Sequence, residues 1–149
     1  MKNNLLNTID ILIVEDNNGD ARLIREIFNE NKVFNSLHFV KDGVEAMDFL
    51  FARKKYKGFL KPDLIILDLN LPRKDGREVL AEIKSDPELK RIPVVIMTSS
   101  QAEEDIIKSY NLHANCYVTK PIDLNQFIKV IRSIENFWFS VVKLPAKSQ

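Results

Sequence analysis

An α/β fold of the doubly wound kind is predicted by this sequence: five parallel strands with helices on both faces of the sheet. Three observations predict it. Short apolar runs bounded by turn residues recur along the chain, as in strands covered on both sides. They alternate with segments whose apolar residues repeat at helical period. The strand-like runs end in acids, a hydroxyl and an ammonium group, and such sheets bind ligands at the carboxyl ends of their strands.

The first strand is Ile11-Leu12-Ile13-Val14, running into Glu15-Asp16. Turn residues Asn17-Asn18-Gly19-Asp20 lead to a helix over 20–31, where Ala21, Leu23, Ile24, Ile27 and Phe28 share a face. Leu37-His38-Phe39-Val40 supplies the second strand, and Asp42-Gly43 starts a helix over 43–51 with Val44, Met47, Leu50 and Phe51 as its apolar side. The run from Asp63 to Asp68 is the third strand, and Lys74-Asp75-Gly76 opens a helix carrying Val79, Leu80 and Ile83 over 76–84. Pro93-Val94-Val95-Ile96-Met97 runs into Thr98-Ser99, and Ser99-Ser100 cap a helix over 102–110 with Ile106, Ile107 and Tyr110. Asn115-Cys116-Tyr117-Val118-Thr119 runs into Lys120-Pro121, where the proline argues for a fixed turn. From Asp123, Leu124, Phe127, Ile128, Ile131, Ile134 and Trp138 mark the last helix. Five strands alternating with five helices imply parallel βαβ units with right-handed crossovers.

At 149 residues the chain reads as one domain, 1–149, with its core over about 9–138. Hydrophobic residues at 45% and charged ones at 29% give an ordinary globular balance. No apolar run approaches a membrane span, and the N-terminus lacks the features of a signal peptide. A lone cysteine, Cys116, cannot form an internal disulfide, which suits a reducing cytoplasm, and its strand position gives it a small apolar packing role. A net charge of +1 gives no electrostatic reason to bind nucleic acid. The local basic stretch Arg53, Lys54, Lys55, Lys57 and Lys61 interleaves with Tyr56 and Phe59, and reads as a solvated loop with aromatic anchors rather than a polyanion contact.

Glu15, Asp16 and Asp68 fall at neighbouring strand ends. Two unit charges about 4 Å apart repel by about 4 kcal/mol at an effective dielectric of ~20. A bound cation removes that cost, and an all-oxygen site suits Mg²⁺, or Mn²⁺, over zinc. His38 and His113 are isolated and read as surface or packing residues rather than ligands. Asp68 then has one oxygen for the metal and one free to attack phosphorus. Lys120 offers a compact cation and Thr98 a hydroxyl for the phosphoryl oxygens. Asn70, two residues past Asp68, offers a backbone carbonyl to the metal and a side chain facing the phosphoryl group.

The ordered set Glu15-Asp16, Asp68 with Asn70-Leu71-Pro72 and Asp75-Gly76, Thr98, Tyr117 and Lys120-Pro121 resembles the receiver domain of two-component response regulators over about residues 9–138. The run from Asp68 to Lys84, Asn115-Cys116-Tyr117, and Phe137-Trp138-Phe139 with Leu144-Pro145 look like the small stand-alone regulators paired with bacterial and cyanobacterial phytochromes. The longer stretch around Arg53–Lys61 departs from the general receiver pattern and is shared by that group.

The resemblance implies a flavodoxin-like (βα)5 receiver with strand order 2-1-3-4-5, and a phosphoprotein rather than an enzyme. Asp68 would accept phosphoryl from a sensor histidine kinase with Mg²⁺ required. Asp16, Asp68 and the Asn70 carbonyl would be direct ligands, and Glu15 would act largely through water. Thr98 would move to the phosphoryl group, and Tyr117 would swing into the space it leaves.

No DNA-reading module follows the last helix, which argues for signalling by protein contact. The apolar extension 137–145 contains Phe137, Phe139, Val141 and Val142, enough for an exposed patch, and suggests an isologous homodimer through the last helix and tail. Two other functions share the same site. A phosphorelay intermediate would pass the group to another histidine. An aspartyl-phosphate phosphohydrolase would want an acid two residues after the nucleophile, where this chain has Asn70.

Overall fold

A computed structural model describes residues 9–30, 35–100, 102–120 and 123–137. The elements are β1 (Ile9–Val14), α1 (Asn18–Glu30), β2 (Asn35–Val40), α2 (Gly43–Leu50), β3 (Leu64–Leu67), α3 (Gly76–Ser85), β4 (Val94–Thr98), α4 (Glu103–Asn111), β5 (Cys116–Thr119) and α5 (Leu124–Asn136). Short 3-10 turns follow α2 at Lys54–Tyr56 and α3 at Leu89–Arg91. All strand pairs are parallel, in the order β2-β1-β3-β4-β5.

Strand side chains point alternately to opposite faces, and the sheet is buried on both. Leu12, Val14, Ile65, Leu67, Val94 and Ile96 pack against Ala46, Met47 and Leu50 of α2 and Val79, Leu80 and Ile83 of α3. Ile11, Ile13, Leu64, Ile66, Val95 and Met97 face the other way, onto Ile24, Ile27 and Phe28 of α1 and Ile131 and Ile134 of α5. Unbroken apolar runs are therefore what these strands require, and each fully buried side chain contributes about 1.5–3 kcal/mol.

Helix starts follow their caps. Asn17 Oδ1 accepts from the Asp20 N–H at 2.9 Å, Asp42 from Glu45 at 2.8 Å, and Asp123 from Asn125 at 2.7 Å. Asp75 and Glu78 form a reciprocal capping box at α3. α4 differs from expectation. It begins at Glu103, its cap residue Ala102 has no side-chain bond to give, and Ser100 turns its hydroxyl to Asp105 at 2.6 Å instead. Its expected apolar stripe also fails in part: Ile107 and Tyr110 are about half exposed while Ser109 is buried. Phe51 and Leu124, expected in apolar faces, are likewise exposed, and Arg53 lies over the Phe51 ring at 4.9 Å.

The basic loop after α2 behaves as a solvated loop with aromatic anchors. His38, Phe49, Tyr56 and Phe59 form a cluster with ring centroids 5.0–5.8 Å apart. Arg53 and Lys54 pair with Asp48, Lys55 with Glu45, and Lys61 with Glu88. Cys116 is half-buried, and burial pushes its thiol up. Among the described residues no helix is long and apolar enough to cross a membrane.

Candidate functional site

Three loops at the carboxyl edge of the sheet build the site. β1 ends at Val14, so Glu15 and Asp16 stand just past it, with the Glu15 N–H still held by the Val40 carbonyl at 3.0 Å. β3 ends at Leu67, and the Asp68 N–H donates to the Val14 carbonyl at 3.1 Å, fixing Asp68 beside the β1 acids. β5 ends at Thr119, and the Lys120 N–H donates to the Thr98 carbonyl at 2.7 Å. Ladder bonds carried one residue beyond the strands therefore deliver these side chains.

α3 closes tightly over Asp68. A Cβ on Gly76 would fall 2.2 Å from the Asp68 carbonyl oxygen and 2.6 Å from Leu69 Cα, so only glycine fits there. The Gly76 N–H uses the space to donate to the Leu69 carbonyl at 2.9 Å.

Glu15, Asp16 and Asp68 each offer a carboxylate oxygen, and those oxygens lie within 4.8 Å of one another. Glu15 and Asp68 are buried while Asp16 is exposed, which gives the group an open side. Three convergent carboxylates, with no sulfur or imidazole among them, fit a hard divalent cation. Lys120 lies against the same group, its Nζ 2.6 Å from Glu15 and 2.9 Å from Asp68. Burial raises the Glu15 carboxyl to about 7 against the opposing pull of Lys120. Burial also works against the Lys120 ammonium, yet its bonds to Glu15 and then Asp68 hold its pKa above the ordinary lysine value.

Alternation continues past the strand ends and sorts the side chains into two groups. Glu15, Asp68 and Lys120 follow the parity of the α1–α5 face. Thr98, which is fully buried, and Tyr117 follow the parity of the α2–α3 face. Asn70 links the groups: its N–H donates to Asp68 Oδ1 at 3.0 Å, and its side-chain amide reaches Thr98 Oγ1 at 3.5 Å. The Tyr117 hydroxyl donates to the Ser100 carbonyl at 3.0 Å. Pro121, expected to fix the turn after Lys120, lies outside the described residues, as do Trp138 and the tail beyond it.

Two features escaped the sequence reading. Asp20, read only as a turn residue, bonds Lys120 Nζ at 3.0 Å. Arg77 makes a bidentate pair with Asp105 at 3.0 and 2.8 Å, tying α3 to α4, and also holds Asp75 at 2.9 Å. Neither partner choice carries a local signal, because the pairs are 100 and 28 residues apart in sequence.

Comparison with known proteins agrees with this geometry. The family model described as the response regulator receiver domain matches residues 11–132. Response regulator Rcp1 of Synechocystis sp. is 51% identical over 136 residues, 91% of this chain and 92% of that one. The phosphorylated cyanobacterial phytochrome response regulator RcpA superposes with a TM-score of 0.91 at 52% identity, over 93% of this chain and 99% of that one. The Mn²⁺-bound form of Rcp1 gives a TM-score of 0.91 at 50% identity over the same shares. A divalent metal site fits both that relative and the acidic group described above. By sequence and by fold, this chain belongs to the response regulator receiver domain family.

Proposed function

We propose that this chain is a stand-alone receiver that accepts a phosphoryl group on Asp68 from a histidine kinase, and that the kinase is phytochrome-like. The observation that carries the reading is the placement of buried Asp68 beside Lys120 and the acids Glu15 and Asp16. In the transfer, an Asp68 carboxylate oxygen forms the new O–P bond as the N–P bond to the donor histidine breaks. Lys120 supports the charge on the phosphoryl oxygens, and Thr98 turns its hydroxyl to one of them. Mg²⁺, or Mn²⁺ in its place, supplies further neutralisation of that charge when bound. Asp16, Asp68 and the Asn70 carbonyl are the proposed direct ligands, with Glu15 acting largely through water.

The product is a signal rather than turnover. Phosphorylation adds about one to two negative charges and strong acceptor oxygens. Thr98 responds first, and Tyr117 follows into the space it vacates. Asn70 offers no proton to a leaving group near neutral pH, which disfavours a phosphohydrolase. The reading includes a cytoplasmic location and a single receiver domain over 1–149.

It also includes a homodimer through α5 and the tail. Phe137 is half exposed at the end of α5 and borders a cavity of about 360 Å³ lined by Cys116, Val118, Val130 and Ile134. Truncation after Asn136 should lower the sedimentation coefficient if the tail joins two copies, and an unchanged profile removes the tail from that role. For the phosphoryl acceptor, the test is transfer from an autophosphorylated phytochrome-like kinase to this chain and to Asp68→Asn. Transfer to the wild type alone is expected, and equal labelling of both refutes the assignment.

A further inference from the structure

Lys120 has three N–H donors, and three carboxylates receive them: Glu15 at 2.6 Å, Asp68 at 2.9 Å and Asp20 at 3.0 Å. The three acids differ in what else they are placed to do. Glu15 and Asp68 belong to the group whose oxygens converge for a cation, and Asp20 stands outside it. Asp20 is carried by the first turn of α1, where Asn17 Oδ1 holds its backbone N–H at 2.9 Å. Its backbone is thus fixed at the helix start, and its carboxylate lies outside the group of acids that converge for a cation.

We infer that Asp20 is a positioning residue for Lys120, the fixed partner on which the ammonium pivots. The inference rests on the reading of Asp68 as phosphoryl acceptor. In the arrangement seen here Asp68 has both oxygens engaged, Oδ1 by the Asn70 N–H and Oδ2 by Lys120. For Asp68 to attack phosphorus, Lys120 must release it and turn to the incoming phosphoryl oxygens. With a cation bound, Glu15 and Asp68 would turn their oxygens toward it, and Lys120 would lose two of its three partners. Asp20 retains the third bond, so the ammonium moves by rotation about a held point rather than by leaving the site. The Lys120 side chain is only 10% exposed, so water offers it little substitute. Without Asp20 the ammonium would still be present but less well aimed, and small misplacements of a charge-stabilising group cost rate rather than binding.

The experiment is a double-mutant cycle in the full chain with Mg²⁺ and acetyl phosphate, comparing wild type, D20N, K120M and D20N/K120M. D20N should lower the maximal phosphorylation rate by about tenfold while changing the half-saturating donor concentration by less than about twofold. In the K120M background the same substitution should change the rate by less than about twofold. An equal effect in both backgrounds, a change confined to the donor concentration, or a D20N rate at or above wild type overturns the role of Asp20 and leaves Asp68 untouched. Wild-type protein that takes no label overturns the acceptor reading and this inference with it. Should K120M not fold, the Lys120 ammonium signal of the Mg²⁺–beryllofluoride complex decides by NMR. It shifts or broadens in D20N if Asp20 holds it, and an unchanged signal overturns the inference.

Discussion

Tyr117 on β5 donates its hydroxyl to the backbone carbonyl of Ser100, 3.0 Å away in the loop after β4. The same Ser100 gives its hydroxyl to Asp105 on α4, and its N–H points at Thr98 Oγ1 over a long 3.4 Å. A Thr98 hydroxyl turned toward a phosphoryl group would give up this long contact with the residue that holds Tyr117. The hydroxyl and the ring are therefore joined through two residues of backbone, which gives the proposed switch a physical connection.

Tyr117→Phe removes that bond and nothing apolar. It should cost the metal-free fold about 0.5–1.5 kcal/mol. If the bond belongs to the resting state, Mg²⁺–beryllofluoride should bind up to about tenfold more tightly. Weaker binding, measured by calorimetry, would assign the bond to the phosphorylated state instead.

Arg77 and Asp105 tie α3 to α4, and their pairing shows in acid. Arg77 first, and then the Ser100 hydroxyl, hold the Asp105 carboxyl down at about 2. An unfolded aspartate titrates near 4. The contribution is full above about pH 4 and disappears as pH falls toward 2. Solvent reaches the pair, so its size is about 1 kcal/mol or less. Asp105→Asn should flatten the loss of stability between those two pH values, and a curve parallel to wild type contradicts the pairing.

Glu15 gives pH dependence of the opposite sign. Burial raises its carboxyl to about 7, so the folded metal-free chain keeps a proton that the unfolded chain releases near 4.5. Metal-free stability should therefore fall as pH rises between those values. A cation requires the carboxylate, so Mg²⁺ affinity should climb up to about pH 7 and level off, with proton release on binding. Calorimetry in two buffers measures this, and a flat profile, or one retained in Glu15→Gln, contradicts it.

Lys84 provides a control remote from the chemistry. Its ammonium donates to the carbonyls of Lys90 and Ile92 at 3.1 and 2.8 Å and to Asn115 Oδ1 at 3.3 Å, and burial lowers its pKa. Asn115 Oδ1 in turn receives the Val94 N–H, so this staple secures the start of β4. Lys84→Met should destabilise the fold by about 1–3 kcal/mol. The phosphorylation rate of the protein that remains folded should not change.

The sheet was legible because its central strands are buried on both faces: Leu64-Ile65-Ile66-Leu67 admits no polar residue, and the run stops where the chain leaves the core. The acids were legible because parallel strands place all such stops at one edge. What lay beyond the sequence was partner choice. Nothing local distinguishes Asp20, which reaches Lys120, from a turn aspartate, or Arg77 from a solvated helix arginine. The stripe on α4 misled for a related reason. Ile107 and Tyr110 have helical spacing, but the face turned inward carries Ser109, one turn after Asp105, which reaches Arg77 and Ser100.

The central claim is that Asp68 takes the phosphoryl group, and the covalent product can be read directly. An aspartyl phosphate trapped with borohydride becomes homoserine, which peptide mass mapping locates. After incubation with acetyl phosphate and Mg²⁺, homoserine is expected at position 68 alone and absent when the metal is chelated. Homoserine at Asp16 or another acid, or none at any position despite Mg²⁺, would contradict the account.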